Sequence, residues 1–314
     1  MRGFISLIII IIFTSVTYYF IGPVAHSIEG GAKVTDSHFS YADIPALKLQ
    51  GNVAKGKALV MGAGACVGCH SIEVAGIKPS MSPDVAAKAY GVMPPDLSNA
   101  GIIYSPKFLA AYIADPVHAM KLGSKFNAQT GKTFPMPAFA GAGGNKQQEI
   151  ADMVAYLKSI AISKNKLTPK LAFEDSCGRC HAVRYEKWTQ IGSTPKFKNK
   201  KQKLAFELKV ADYQDSLHKY LGSLPPDLST IVESKTDHFI NTFVQNPQNH
   251  IKGTAMPRVG ITADTAKKVM AYLEKSGNPT QAERESLGKD IMIYLVIMAI
   301  FAFLWKQTVW KDLH

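Results

Sequence analysis

Cys66-Val67-Gly68-Cys69-His70 returns later in the chain as Cys177-Gly178-Arg179-Cys180-His181, and the two pentapeptides use all 4 cysteines of the 314 residues. A Cys-x-x-Cys-His run is the attachment signal of c-type haem: two thiols add across two porphyrin vinyl groups, and the adjacent histidine becomes an axial iron ligand. The spacing is geometric. Two intervening residues set both sulfurs against one edge of the macrocycle, and the next residue turns its imidazole under the iron. A zinc ribbon also pairs two Cys-x-x-Cys units, but about 15–20 residues apart, whereas here the gap runs from Cys69 to Cys177. A thioredoxin-like redox pair needs neither the following histidine nor a second copy. The motifs therefore predict two covalently bound haem c groups, held by Cys66 and Cys69 and by Cys177 and Cys180, with His70 and His181 on the irons.

The chain has room for about two ordinary domains, which suits one haem each. A haem supplies an apolar disc to pack against, and this helps a domain of roughly 100 residues that would otherwise be marginal. Bacteria attach haem covalently outside the inner membrane, so the haem domains are expected on the periplasmic side, where the lack of a spare cysteine avoids mispairing. The formal charge of +12 has no aromatic-basic motif beside it. Nucleic acid is discounted, and the basic surface is read as steering acidic partners or meeting anionic lipid.

Phe4 to Phe20 (FISLIIIIIFTSVTYYF) carries no charge and is long enough for a span. Arg2 before it places the N-terminus in the cytoplasm. A cleaved secretory signal is the alternative, but Ala25-x-Ser27 is a mediocre small-x-small site. Ile291 to Trp305 (IMIYLVIMAIFAFLW) is a second apolar run. Alone it covers about 22 Å; with Leu287, Trp310 and the snorkelling Lys289 and Lys306 it reaches a full bilayer. Lys306 and Lys311 put the C-terminus in the cytoplasm as well. The expected order is an N-terminal transmembrane helix (1–25), a linker (26–50), two haem domains (51–162 and 163–278) and a C-terminal transmembrane helix (285–314).

Between the spans the chain is an internal duplication. Gly91-Val92-Met93-Pro94-Pro95-Asp96-Leu97-Ser98 repeats as Gly222-Ser223-Leu224-Pro225-Pro226-Asp227-Leu228-Ser229. A helix is read after each copy, at 106–114 and 236–244, and each ends at a break, Asp115-Pro116 or Asn246-Pro247. A methionine in a proline setting follows, Pro135-Met136-Pro137 or Ala255-Met256-Pro257, and then a closing helix. Asn52 to Gly62 fits a short helix capped by Asn52 that leads into the first motif. The stretch Lys187 to Lys203, with six lysines and no acid, reads as a solvated loop, with docking of an acidic partner as the other reading.

An iron that only passes electrons benefits from two strong ligands, and a thioether raises its potential. The candidate pairs are His70 with Met136 and His181 with Met256. Met93 competes, but its counterpart is Leu224, which cannot bind iron. Each iron-bound histidine is expected to donate its other ring N–H to a backbone carbonyl, and the turns Pro94-Pro95 and Pro225-Pro226 are the candidates to present it.

With the PPDLS phrases, the Ala-Met-Pro segment and the C-terminal run in view, the chain resembles a di-haem form of cytochrome c1, the anchored cytochrome of the quinol:cytochrome c reductase (bc1) complex. The resemblance implies a mostly α fold of two tandem cytochrome c domains. It also implies an electron-transfer subunit in the bacterial inner membrane that does no substrate chemistry of its own. Its partners would be cytochrome b, a Rieske iron-sulfur protein as donor, and a periplasmic cytochrome c or terminal oxidase as acceptor. The family ordinarily has one haem, so the order of the two haems stays open. The di-haem subunit of a cbb3-type oxidase is the alternative, although its chain is expected to stop after the second haem domain. A di-haem peroxidase would need one open iron position, against which the two matched methionines speak.

Overall fold

The computed structural model of the protein describes residues 2–21 and 41–311. Most of the expected linker, the Ala25-x-Ser27 site, His26, His38 and His314 lie outside the described residues. Those described divide into two units, one holding the terminal helices and the other both cysteine motifs.

In the motif-bearing unit, helix α1 (Val53–Ala58) starts at Asn52, whose side chain accepts from Lys55 N, and a wider turn over Leu59–Ala63 prolongs it. Helices α2 (Pro83–Tyr90), α3 (Ala100–Ile103), α4 (Pro106–Ala114) and α5 (Pro116–Ala119) follow, three of them opened by proline, whose missing N–H costs nothing in a first turn. Helix α6 (Lys146–Ile160) closes the first half. The second half repeats the plan with α7 (Pro169–Ser176), a hairpin of β1 (Trp188–Thr189) and β2 (Gly192–Ser193), α8 (Lys200–Leu221), α9 (Ile231–Ser234), α10 (Asp237–Gln245), α11 (Pro247–His250) and the closing α12 (Ala263–Gly277). The duplicated helices thus fall at 106–114, as read from sequence, and at 237–245, capped by Thr236. The stretch 187–203 is not a bare loop: it forms the hairpin and enters α8. Asn199 caps that 22-residue helix, and Tyr213, Leu217 and Leu221 on its far half are buried. The lysines mask an amphipathic helix whose apolar positions come only after Lys203.

Two short backbone approaches fix the first half. A Cβ on Gly56 would lie 1.9 Å from Asp152 O, and one on Gly51 would lie 2.0 Å from Ala151 O, so α1 rests directly on the backbone of α6. Asp152 is itself buried; its Oδ1 accepts from Asn52 N at 2.7 Å and from Gln148 Nε2 at 2.9 Å. In the second half α7 packs on α12, with Phe173 stacked on Tyr272 at 4.9 Å between ring centroids.

The halves share a core. Ile103 and Phe108 of the first cluster with Phe173, Val183, Ile261 and Val269 of the second; each such side chain contributes about 1.5–3 kcal/mol by leaving water. Backbone bonds cross as well: Ser105 N donates to Gly260 O and Thr262 N to Ile103 O, both at 2.9 Å. Arg258, 2% exposed, sets both oxygens of Asp43 at 2.8 Å from its Nη1 and donates from Nε to Ala119 O.

In the other unit, Phe4–Ile21 and Glu283–Lys311 are helices long and apolar enough to cross a membrane. The Phe4 ring stacks on Phe303 at 3.8 Å, so the start of one helix meets the late part of the other.

Gly56→Ala should drive a methyl group into a fixed carbonyl rather than a movable side chain. The expected loss is about 1–3 kcal/mol, as for overpacking, or about 2–4 °C of Tm per kcal/mol at this domain size. Thermal unfolding checks this, with Gly62→Ala, where a Cβ meets nothing within 4 Å, as the control that stays near wild type.

Candidate haem-attachment sites

Each motif folds as the same tight turn at the end of a helix. In the first, Cys69 N and His70 N both reach Cys66 O, at 3.2 and 2.9 Å; in the second, Cys180 N and His181 N both reach Cys177 O, at 3.1 and 3.0 Å. The wide turn over 59–63, followed by Ala65 at φ 53, brings the chain into the first. Helix α7 runs straight into the second, with Cys177 N bonded to Phe173 O at 2.8 Å. One backbone turn therefore gathers two thiols and an imidazole, and all four cysteines are free.

The histidines are held alike. His70 Nδ1 lies 2.8 Å from Pro95 O, and His181 Nδ1 lies 2.9 Å from Pro226 O. A carbonyl only accepts, so Nδ1 carries the proton and Nε2 is left as a lone-pair donor. Burial pushes the pKa of both rings down, against the opposing pull of those carbonyls, and the Arg179 charge deepens the fall at His70. Neutral imidazoles with a free Nε2 are what an iron needs.

The thiols point the same way. Burial raises Cys66 and Cys180 and pushes Cys177 up to about 11, whereas a thioredoxin-like pair depends on a lowered thiol pKa. Among the described residues no three His, Cys, Asp or Glu side chains gather as for a bound metal ion. Arg179 Nε is shielded and has no acceptor, an orphan that a carboxylate such as a porphyrin propionate would satisfy. The residues present fit haem.

The reading of the prolines missed the two side chains that hold their turns. Asp96 Oδ1 accepts from Ser98 N at 2.7 Å and its Oδ2 from Glu73 N at 3.0 Å, while Ser98 Oγ accepts from Val74 N at 3.1 Å. Asp227 repeats this with Ser229 N at 2.9 Å and Arg184 N at 3.2 Å, and Ser229 Oγ with Tyr185 N at 3.2 Å. Leu97 N and Leu228 N complete each clamp on Ser71 O and Ala182 O, both at 2.9 Å. The signal was available: Asp and Ser recur with the prolines in both phrases.

The methionines are placed less evenly. Met136 lines a cavity of about 440 Å³ with Val117, Phe126 and Phe134, whose walls include none of Cys66, Cys69 or His70. Met256 is half-buried; its carbonyl accepts from Gln248 Nε2 at 2.8 Å, and neighbouring Ala255 packs in the cluster that holds Cys180. Met93 and Pro94 line a small void with Cys69, and Met93 joins the Cys180 cluster too.

Asp96→Ala and Asp227→Ala should each release one proline turn. Bonds to a charged acceptor are worth about 1.5–3 kcal/mol each, so the expected loss is of that order per variant, with Asp→Asn recovering part. Denaturant unfolding checks it, and unchanged stability would remove the clamp from the account.

Residues 53–161 match the family described as cytochrome c. The chain is 22% identical over 199 residues, spanning 45% of this chain and 82% of the other, to a cytochrome c1 of Allochromatium vinosum. No solved structure matches. Paired attachment turns and a carbonyl-held imidazole in each half accompany a cytochrome c domain over residues 53–161, and such a domain implies electron transfer through covalent haem c.

Proposed function

We propose that the protein is a di-haem, cytochrome c1-like subunit of a quinol:cytochrome c reductase. It would take electrons from a Rieske iron-sulfur protein beside cytochrome b and pass them to a periplasmic cytochrome c or a terminal oxidase. The observation that carries the reading is the doubled site: a second complete turn, imidazole and clamp at 177–229 in a chain similar to a cytochrome c1.

When bound, each haem supplies a one-electron ferric/ferrous couple. Cys66 and Cys69, and Cys177 and Cys180, would hold the groups covalently, while His70 and His181 present Nε2 to the irons. Met136 and Met256 are the proposed second ligands, which would close the irons to outside molecules and raise their potentials. Met93 is set aside as a ligand because its counterpart in the second half is Leu224, which cannot bind iron.

The two apolar terminal helices support membrane anchoring. In our reading both termini are cytoplasmic and the haem domains periplasmic; Phe4 against Phe303 suits two spans that run in opposite directions. A fixed anchor matters because a mobile donor domain reaches a tethered haem at high effective concentration.

A chain truncated after Gly277 should stay in the membrane with its haems through the N-terminal helix, yet lose most quinol-driven reduction of cytochrome c. Intact reductase activity with a fall in oxygen consumption at a terminal oxidase would transfer the protein to a cbb3-type complex.

A further inference from the structure

The duplication breaks inside the motifs. Position three is Gly68 in the first and Arg179 in the second. A Cβ on Gly68 would meet nothing within 4 Å. The Arg179 side chain instead crosses to the first half: Nη1 donates to Met93 O at 2.9 Å. Tyr213 closes the arrangement, since its hydroxyl accepts from Met93 N at 3.2 Å and donates to Arg179 O at 2.8 Å. Met93 opens the turn whose Pro95 O receives His70 Nδ1. A single turn of the first half thus holds one haem ligand at its far end and the second attachment motif at its near end.

We propose that Arg179 is the junction of the two haem sites: it positions the turn that orients His70, and its permanent charge raises the midpoint potential of both haems together. This rests on the di-haem reading. A guanidinium stays charged at any working pH. Arg179 is half-buried with its Nε shielded, so its field is screened less than that of a fully exposed charge, and a positive charge favours the electron-rich ferrous iron of either couple. The guanidinium is bonded to the turn that holds His70, and the backbone of Arg179 adjoins Cys180. Transfer between two bound haems would move one electron from a ferrous iron to a ferric one, with no proton or group moved. Raising both potentials together keeps that exchange balanced in a way that raising one would not.

The test is an optical redox titration of the full membrane-bound chain carrying Arg179→Gln, Arg179→Met, Arg179→Lys or Tyr213→Phe, with haems per chain counted by mass on the same samples. Both neutral variants should weaken reduction of both haems by about tenfold each, or 59 mV for a one-electron couple. Arg179→Lys keeps the charge and should hold both potentials near wild type. Tyr213→Phe removes hydrogen bonds without charge and should do the same. A shift confined to one haem, or an Arg179→Lys shift as large as that of Arg179→Gln, would overturn the proposal. A wild-type chain with one haem would instead defeat the di-haem reading beneath it.

Discussion

The bond from an imidazole Nδ1–H to a proline carbonyl, made once by His70 and once by His181, is the interaction on which the rest of the structure converges. It fixes the tautomer, leaves Nε2 as the donor and sets the plane of the ring. It lasts only if the carbonyl stays put. Proline has no N–H to compete for partners, and its locked φ stiffens the turn; the Asp and Ser side chains then tie that turn to the residues after each motif. Every part of the phrase PPDLS therefore has a task, which explains why the duplication keeps it whole.

The two halves are more than beads on a string. Segment 260–262 pairs with 103–105, Arg258 reaches Ala119 and Asp43, and helix α8 packs on α2, with Ala87 against Tyr213 and Leu217. Shared burial makes one body of the two motif-bearing halves, a frame that in the proposed di-haem reading would keep two redox centres at one separation. For electron transfer a fixed separation matters more than any single contact.

Much of this was legible in the residues because it is local. The attachment turns follow from a five-residue pattern, Asn52 caps its helix as its position before the apolar run suggests, and Pro106 opens a helix that ends before Asp115-Pro116. What stayed hidden depends on partners distant in sequence. The Asp96 and Asp227 clamps use amides of residues near 73 and 184. Nothing local marks Arg179, whose partners Met93 and Tyr213 lie 86 and 34 residues away in the chain. Helix α8 was obscured because its lysine-rich first turns carry no apolar stripe, and its buried residues begin only at Tyr213. The pairing of each methionine with its histidine rested on the duplication, and the cavity around Met136 is bounded by other residues than the first motif.

The central claim is that both motifs are loaded, and the mass of the denatured chain tests it most directly, because thioether links survive unfolding. The account predicts the polypeptide mass plus two haems, lowered to one by Cys66→Ala with Cys69→Ala and likewise by Cys177→Ala with Cys180→Ala. A wild-type mass with a single haem, unchanged by one of those double substitutions, would contradict it.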